Sequence, residues 1–180
     1  MPTLRPAARA DAPALARIYN EGIEGREATF ETRPREPGEV VAWIEEGLPF
    51  LVAEASDGEA RGDEPAGRGS RGAVLGFARV SAYSDRCVYD GVGEHGVYVA
   101  GAAQGRGVGR ALLLGLCDAA ERAGYYKLTS RVFASNAASR AVHRAAGFEE
   151  VGIQRRHGRL DGEWRDCVLV ERLLGEAAQP

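Results

Sequence analysis

Apolar residues along this chain alternate between two rhythms. Leu15, Ile18, Tyr19 and Ile23 form one helical stripe behind Asp11, a residue able to cap it, and Val40, Trp43 and Ile44 form a second between about Glu39 and Gly47. Thr3–Pro6 and Phe50–Ala55 are short runs bounded by breakers and predict strands, with a loop at Ala28–Pro37 between the helices. Two more strands are expected at Ala73–Val80 and Val92–Val99, with irregular chain at Asp85–Gly91. Gly107–Ala123 carries the strongest helical pattern, with Val108, Ala111, Leu112, Gly115, Leu116 and Ala119 on one face and Arg110, Asp118, Glu121 and Arg122 mostly opposite. Lys127–Phe133 reads as a strand. Ser135 can then cap a helix that runs through Ala146 and stops at Gly147. Phe148–Ile153 and Trp164–Leu173 complete the set as two strands around a charged loop.

The predicted order is β α α β β β α β α β β, a mixed α/β arrangement with a central sheet and helices on both faces. No internal repeat is present. Ser56–Gly72 is rich in Gly, Arg, Asp and Glu and has no apolar period, so it predicts an exposed, mobile insertion between two strands. At 180 residues, 44% hydrophobic and 27% charged, the chain predicts one globular domain over 1–180. No apolar run approaches the ~20 residues of a membrane span, and no signal-peptide core is present, so a cytoplasmic location is expected.

A net charge of -3 argues against a general nucleic-acid binder, although Lys127 is the sole lysine and every other basic side chain is arginine. Base composition of the genome can produce that bias; arginine also suits bidentate pairing with carboxylates and phosphates. Cys87, Cys117 and Cys167 form no CxxC pair, and no two of His95, His143 and His157 have metal-ligand spacing, so neither a disulfide framework nor a metal site is expected.

Chemistry concentrates at Gln104, Gly105, Arg106, Gly107, Val108 and Gly109, placed between a strand and the best helix. Glycines let the backbone approach an anion, and the N–H groups of a helix N-terminus favour one there; Arg106 and Arg110 add charge. The expected ligand is a phosphate or pyrophosphate, the alternative being a tight turn. Neither GxGxxG after the first strand nor GxxxxGK[ST] is present, which disfavours dinucleotide and ATP sites.

With Val97, Tyr98 and Val99 before it and Asn136–Phe148 after it, this QxxGxG pattern resembles the acetyl-CoA-binding core of the GNAT superfamily of N-acetyltransferases. RPAARADAPALARIYNEGI, ATFETRP, GEHGVYV and HGRLDGEWRDCVLVERLL are similar to its phosphinothricin and arsinothricin-resistance branch, and the likeness runs from about residue 3 to residue 174 apart from the insertion. The resemblance implies the GNAT fold and acetyl-CoA as co-substrate, with pyrophosphate on the Gly-rich loop and the pantetheine arm on main-chain groups of Val97 and Val99. The Val99 N–H is implied to face the thioester oxygen, Asn136 to hold the pantetheine, and Ser139 to reach the cofactor.

An ammonium has no lone pair, so amine acetylation needs a base; the resemblance gives that role to Glu94, acting directly or through a water. His143 corresponds to the acid for the departing thiolate, the alternative being a histidine packed on the cofactor side. Arg86 is matched to an anion-binding arginine, with Phe30, Tyr83 and Tyr89 walling an aliphatic portion. Together these imply acetyl transfer to the α-amino group of a small acidic amino-acid analogue. Methionine sulfoximine, a polyamine, a protein N-terminus, or a non-catalytic acyl-CoA sensor remain the alternatives. A homodimer with Arg155–Trp164 near its two-fold axis is likewise implied by the resemblance.

Overall fold

The computed structural model describes residues 2–56 and 72–179. The expected mobile insertion at 56–72 therefore falls almost entirely outside the described residues. Within them the elements follow the predicted order: β1 (Thr3–Pro6), α1 (Ala12–Glu24), α2 (Pro37–Glu45), β2 (Phe50–Glu54), β3 (Val74–Ala82), β4 (Val92–Val99), α3 (Val108–Arg122), β5 (Lys127–Phe133), α4 (Ala137–Ala145), β6 (Glu149–Leu160) and β7 (Glu163–Leu173). The seven strands form one sheet in the order β1-β2-β3-β4-β5-β7-β6. Only β4 and β5 pair in parallel, because α3 connects them as a crossover.

Strand periodicity separates the two faces of the sheet. Phe50, Phe77, Arg79 and Tyr98 stand on one face, where Tyr98 packs on Tyr19 of α1 and Arg79 lies over Trp43 of α2. Leu51, Gly76 and Val99 stand on the other, against α3. Helices thus cover both faces. The buried side of α3 is centred on Leu112, Leu113, Leu116, Cys117 and Ala120, a wider arc than the predicted stripe, since the helix spans β1 to β4. Among the described residues no helix is long and apolar enough to cross a membrane.

Four local expectations are corrected. Asp11 stands at the N-cap of α1, but its side chain makes no capping bond there: it is 4% exposed and its carboxylate takes a bidentate pair from Arg5 at 2.7 and 2.8 Å, while Arg5 also reaches Glu54. Helix α2 begins at Pro37, where a missing N–H costs nothing in a first turn. Helix α4 is capped by Asn136, not Ser135, through an Oδ1 that accepts the Ser139 N–H at 2.8 Å. The expected charged loop after Ile153 is mostly strand: β6 continues to Leu160 and turns into β7 through Asp161 and Gly162, both at positive φ.

Gly93 sets the start of the functional strand. A Cβ built there lies 2.6 Å from Val80 Cγ1 and 2.9 Å from Leu128 Cδ2, and both neighbours are buried. Gly93→Ala is expected to lower stability by about 1–3 kcal/mol through overpacking, read from urea unfolding, and an unchanged midpoint would contradict this packing.

Candidate active site

Strands β4 and β5 pair only from Val92↔Lys127 to Glu94↔Thr129, although both run further. Beyond Glu94 they part. The Ala100 N–H bonds to the Leu75 carbonyl, so in the antiparallel β3/β4 ladder the even positions Tyr98 and Gly96 face β3. The odd positions Val97 and Val99 then turn their N–H groups the other way, into the opening. The opening is a cleft of about 1330 Å³ reaching from the Gly-rich loop to Phe133 and His157, walled by α1 and the residues after it.

At one end of the cleft, Gly105 and Gly107 have φ of +73° and +79°, conformations that favour glycine, and a Cβ on either would meet nothing within 4 Å. Gly107 is the N-cap of α3, so the first N–H groups of a 15-residue helix face this open space. Gly109 has a different role, since its Cβ would sit 3.3 Å from Val142 and 3.6 Å from Val99; it lets α3 approach β4 and α4. Arg110 lines the cleft and its Nε donates to the Ala145 carbonyl; Val108 lines it too although buried, whereas Arg106 is outside the lining. The Gln104 amide reaches the Val99 carbonyl at 3.5 Å.

Asn136 lines the same cleft, but both ends of its amide are engaged. Oδ1 caps α4, and Nδ2 donates to the Glu27 carbonyl at 2.9 Å, tying the segment after α1 to α4. Tyr98 also lines the cleft while stacking on Phe77, and burial pushes its phenol well above the ordinary range.

Glu94 stands where the strands part, its carboxylate accepting from Arg131 Nη1 at 2.7 Å. Both side chains remain about one-third exposed, so the pair faces the cleft. The strand predicted at Lys127–Phe133 puts Thr129, Arg131 and Phe133 on one side by its period of two. That this side meets Glu94 required the β4/β5 register, and sequence reasoning missed Arg131.

His143 is 2% exposed and uses both ring nitrogens. Nδ1–H donates to the Ser139 carbonyl at 2.7 Å, which leaves Nε2 to accept, and His95 Nε2 lies 3.1 Å from it. Burial lowers both histidines, His95 to about 3 with His143 as a further cause. A neutral pair with His95 Nε2–H donating satisfies this geometry. The pair packs on Phe148, and His143 also lines the cleft.

Of the four expected substrate contacts, only Phe30 lines the cleft. It packs edge-on to Phe133 at 4.7 Å between ring centres and closes over Gly158 of β6. Tyr83, Arg86 and Tyr89 are exposed, form their own cluster with Arg86 over the Tyr89 ring, and lie outside the cleft lining. The resemblance matched Arg86 to an anion-binding arginine, and the chain after β3 leaves it outside this cleft lining.

The family model described as the acetyltransferase (GNAT) family matches residues 23–148. A phosphinothricin N-acetyltransferase of Alcaligenes faecalis is 34% identical over 177 residues, covering 96% of this chain and 82% of that protein. The L-methionine sulfoximine/L-methionine sulfone acetyltransferase of Salmonella typhimurium is 32% identical, covering 99% and 98%. Among solved structures, a phosphinothricin acetyltransferase from Sinorhizobium meliloti in complex with acetyl-CoA superposes with a TM-score of 0.84 at 31% identity, covering 97% of this chain and 89% of that one. A mixed sheet parted beside a Gly-rich helix start, matched over most of its length by these enzymes, belongs to the GNAT acetyltransferase family, and the chain is an acyltransferase.

Proposed function

We propose that this enzyme transfers the acetyl group of acetyl-CoA to the α-amino group of a small acidic amino-acid analogue of the phosphinothricin or arsinothricin type, a detoxifying reaction. The observation that carries the reading is Glu94, exposed to the cleft at the point where β4 leaves β5 and facing the same space as the Gly-rich loop. Relatives of about one-third identity named for phosphinothricin and for methionine sulfoximine support an amino-acid acceptor.

The residues suit acetyl-CoA. Gly105, Gly107 and the first turn of α3 leave an open, donor-rich pocket for pyrophosphate, Arg110 adds a charge at its edge, and Val97 and Val99 offer main-chain groups for an extended arm. Acetyl-CoA supplies an acyl carbon activated by its thioester bond. Glu94 accepts a proton from the acceptor's ammonium, directly or through a water, and frees the nitrogen lone pair. As the new C–N bond forms and the C–S bond breaks, the Val99 N–H faces the carbonyl oxygen, where a fixed donor is most effective. A thiol of ordinary pKa ~8.5 leaves without an obligatory acid, so we assign His143 to holding α4 on β4.

A homodimer is supported by the outer strand: β6 ends the sheet, and Val151, Ile153 and Trp164 on the β6/β7 hairpin are 54%, 63% and 55% exposed. Light scattering should give about twice the 19.2 kDa chain mass, and Ile153→Glu should return a monomer.

Glu94→Gln is expected to lower kcat at neutral pH by about 100-fold or more, the scale of a lost general base, and to recover partly as pH rises and more acceptor arrives as free amine. Thiol release followed from pH 6 to 10 with phosphinothricin and methionine sulfoximine tests this, and a defect of equal depth at every pH would remove Glu94 from that role.

The histidine pair makes a separate prediction about stability. A folded pKa of about 3 for His95 against an unfolded ~6.5 means the unfolded chain binds more protons between those values. Stability is therefore full above pH ~6.5 and falls as pH drops toward 3, by up to about 1.4 kcal/mol per pH unit for one such group. Urea unfolding between pH 7 and ~5.5, above most carboxylate titration, should show this falling stability in the native enzyme and a flatter profile in His95→Leu.

A further inference from the structure

Arg131 lines the cleft, and the mechanism above leaves it without work. Among the described residues its side chain has one hydrogen-bond partner, Glu94, through Nη1, and its Nε is buried with none. An arginine fork has five N–H donors, so this guanidinium retains capacity for an anion. Its surroundings make the charge informative. Glu24, Glu27 and Glu31 line the same cleft as Glu94, whereas Glu21 is held by Arg17 and by the Gly101 N–H toward the Gly-rich loop, so Arg131 is the cation in contact with the carboxylate at this end.

We propose that Arg131 receives the α-carboxylate of the acceptor while the adjacent Glu94 faces its ammonium, and that this cation restricts the reaction to amines carrying a neighbouring anion. The assignment rests on the reading of Glu94 as the residue at the reacting amine, and deepens it. The geometry is that of a zwitterion's mirror image: carboxylate and guanidinium sit 2.7 Å apart, and the ammonium and carboxylate of an α-amino acid are joined through a single carbon. An acceptor lying across the pair meets a charge of opposite sign at each end, and its side chain is left to Phe30, Phe133 and His157 beyond. This gives Arg131 the anion-recognition role for which Arg86, outside the cleft lining, is not positioned.

The test compares phosphinothricin and methionine sulfone with their α-carboxamides, which keep the amine and side chain but lose the anion. Native enzyme should prefer each acid over its amide. Arg131→Gln should lower kcat/KM for the acids by about 10- to 100-fold more than for the amides, the extra loss falling chiefly on KM for the acids, so that the preference collapses. Arg131→Lys should restore part of it, since charge returns without the fork. If acids and amides fall together, through kcat, then Arg131 only orients Glu94 and the assignment is overturned while the amine-acetylating reading stands. If native enzyme acetylates none of these α-amino acids yet acetylates a polyamine, both fall. Thermal unfolding of each variant keeps loss of fold apart from loss of recognition, and the acid-to-amide ratio of any folded fraction reads the proposal independently of the amount of active enzyme.

Discussion

The parting of β4 from β5 is the constraint on which the rest of this molecule depends. Two parallel strands that stayed paired would consume each other's main-chain groups along their length. Here pairing stops at Glu94↔Thr129, and the N–H groups of Val97 and Val99 are left facing a space instead of a neighbour. Such groups are costly to leave unsatisfied in a dry interior, so an opening of this kind belongs with a ligand or water. Glu94 owes its exposure to the same event, being the last residue of the paired segment.

Holding the opening apart takes rigid contacts around its rim, and these come from groups a sequence reading would assign to chemistry. Asn136 caps α4 and fastens the segment after α1; the His95–His143 contact fixes α4 to β4 from beneath. Gly109 lets α3 close on both. Polar residues in these places act through geometry: a neutral imidazole pair supplies one directed hydrogen bond inside an apolar layer with Phe148, where a charged group would be far more costly.

Electrostatically the cleft is divided along its length. One end offers an uncapped helix start with glycine-shaped space, suited to a diffuse phosphate charge. The other offers a carboxylate and a guanidinium in contact, which presents nearly no net charge but a strong local dipole. The two ends of the cleft thus differ in the kind of charge they suit: an anion at the helix start, and a pair of opposite charges at Glu94 and Arg131.

Much of the fold was legible in the chain. Element order, the α1 stripe and the Gly-rich loop before α3 depend on periods of 3.6 and 2 and on glycine chemistry, all local properties that a sequence carries outright. The β6/β7 hairpin was less visible because β6 is an edge strand exposed on most positions, so no apolar alternation marks it; Asp161-Gly162 was the signal that could have found it. Glu94 was found through resemblance, whereas Arg131 and His95 were decided only by tertiary structure. Each lies on a strand whose face is known from its period, but which face meets which depends on β4 and β5, more than thirty residues apart, pairing in one register and then separating. The same holds for Arg86 in reverse: its charge was plain, and only the path of the chain after β3 turned it away from the cleft. Local sequence fixes what a side chain can do; long-range pairing fixes what it can reach.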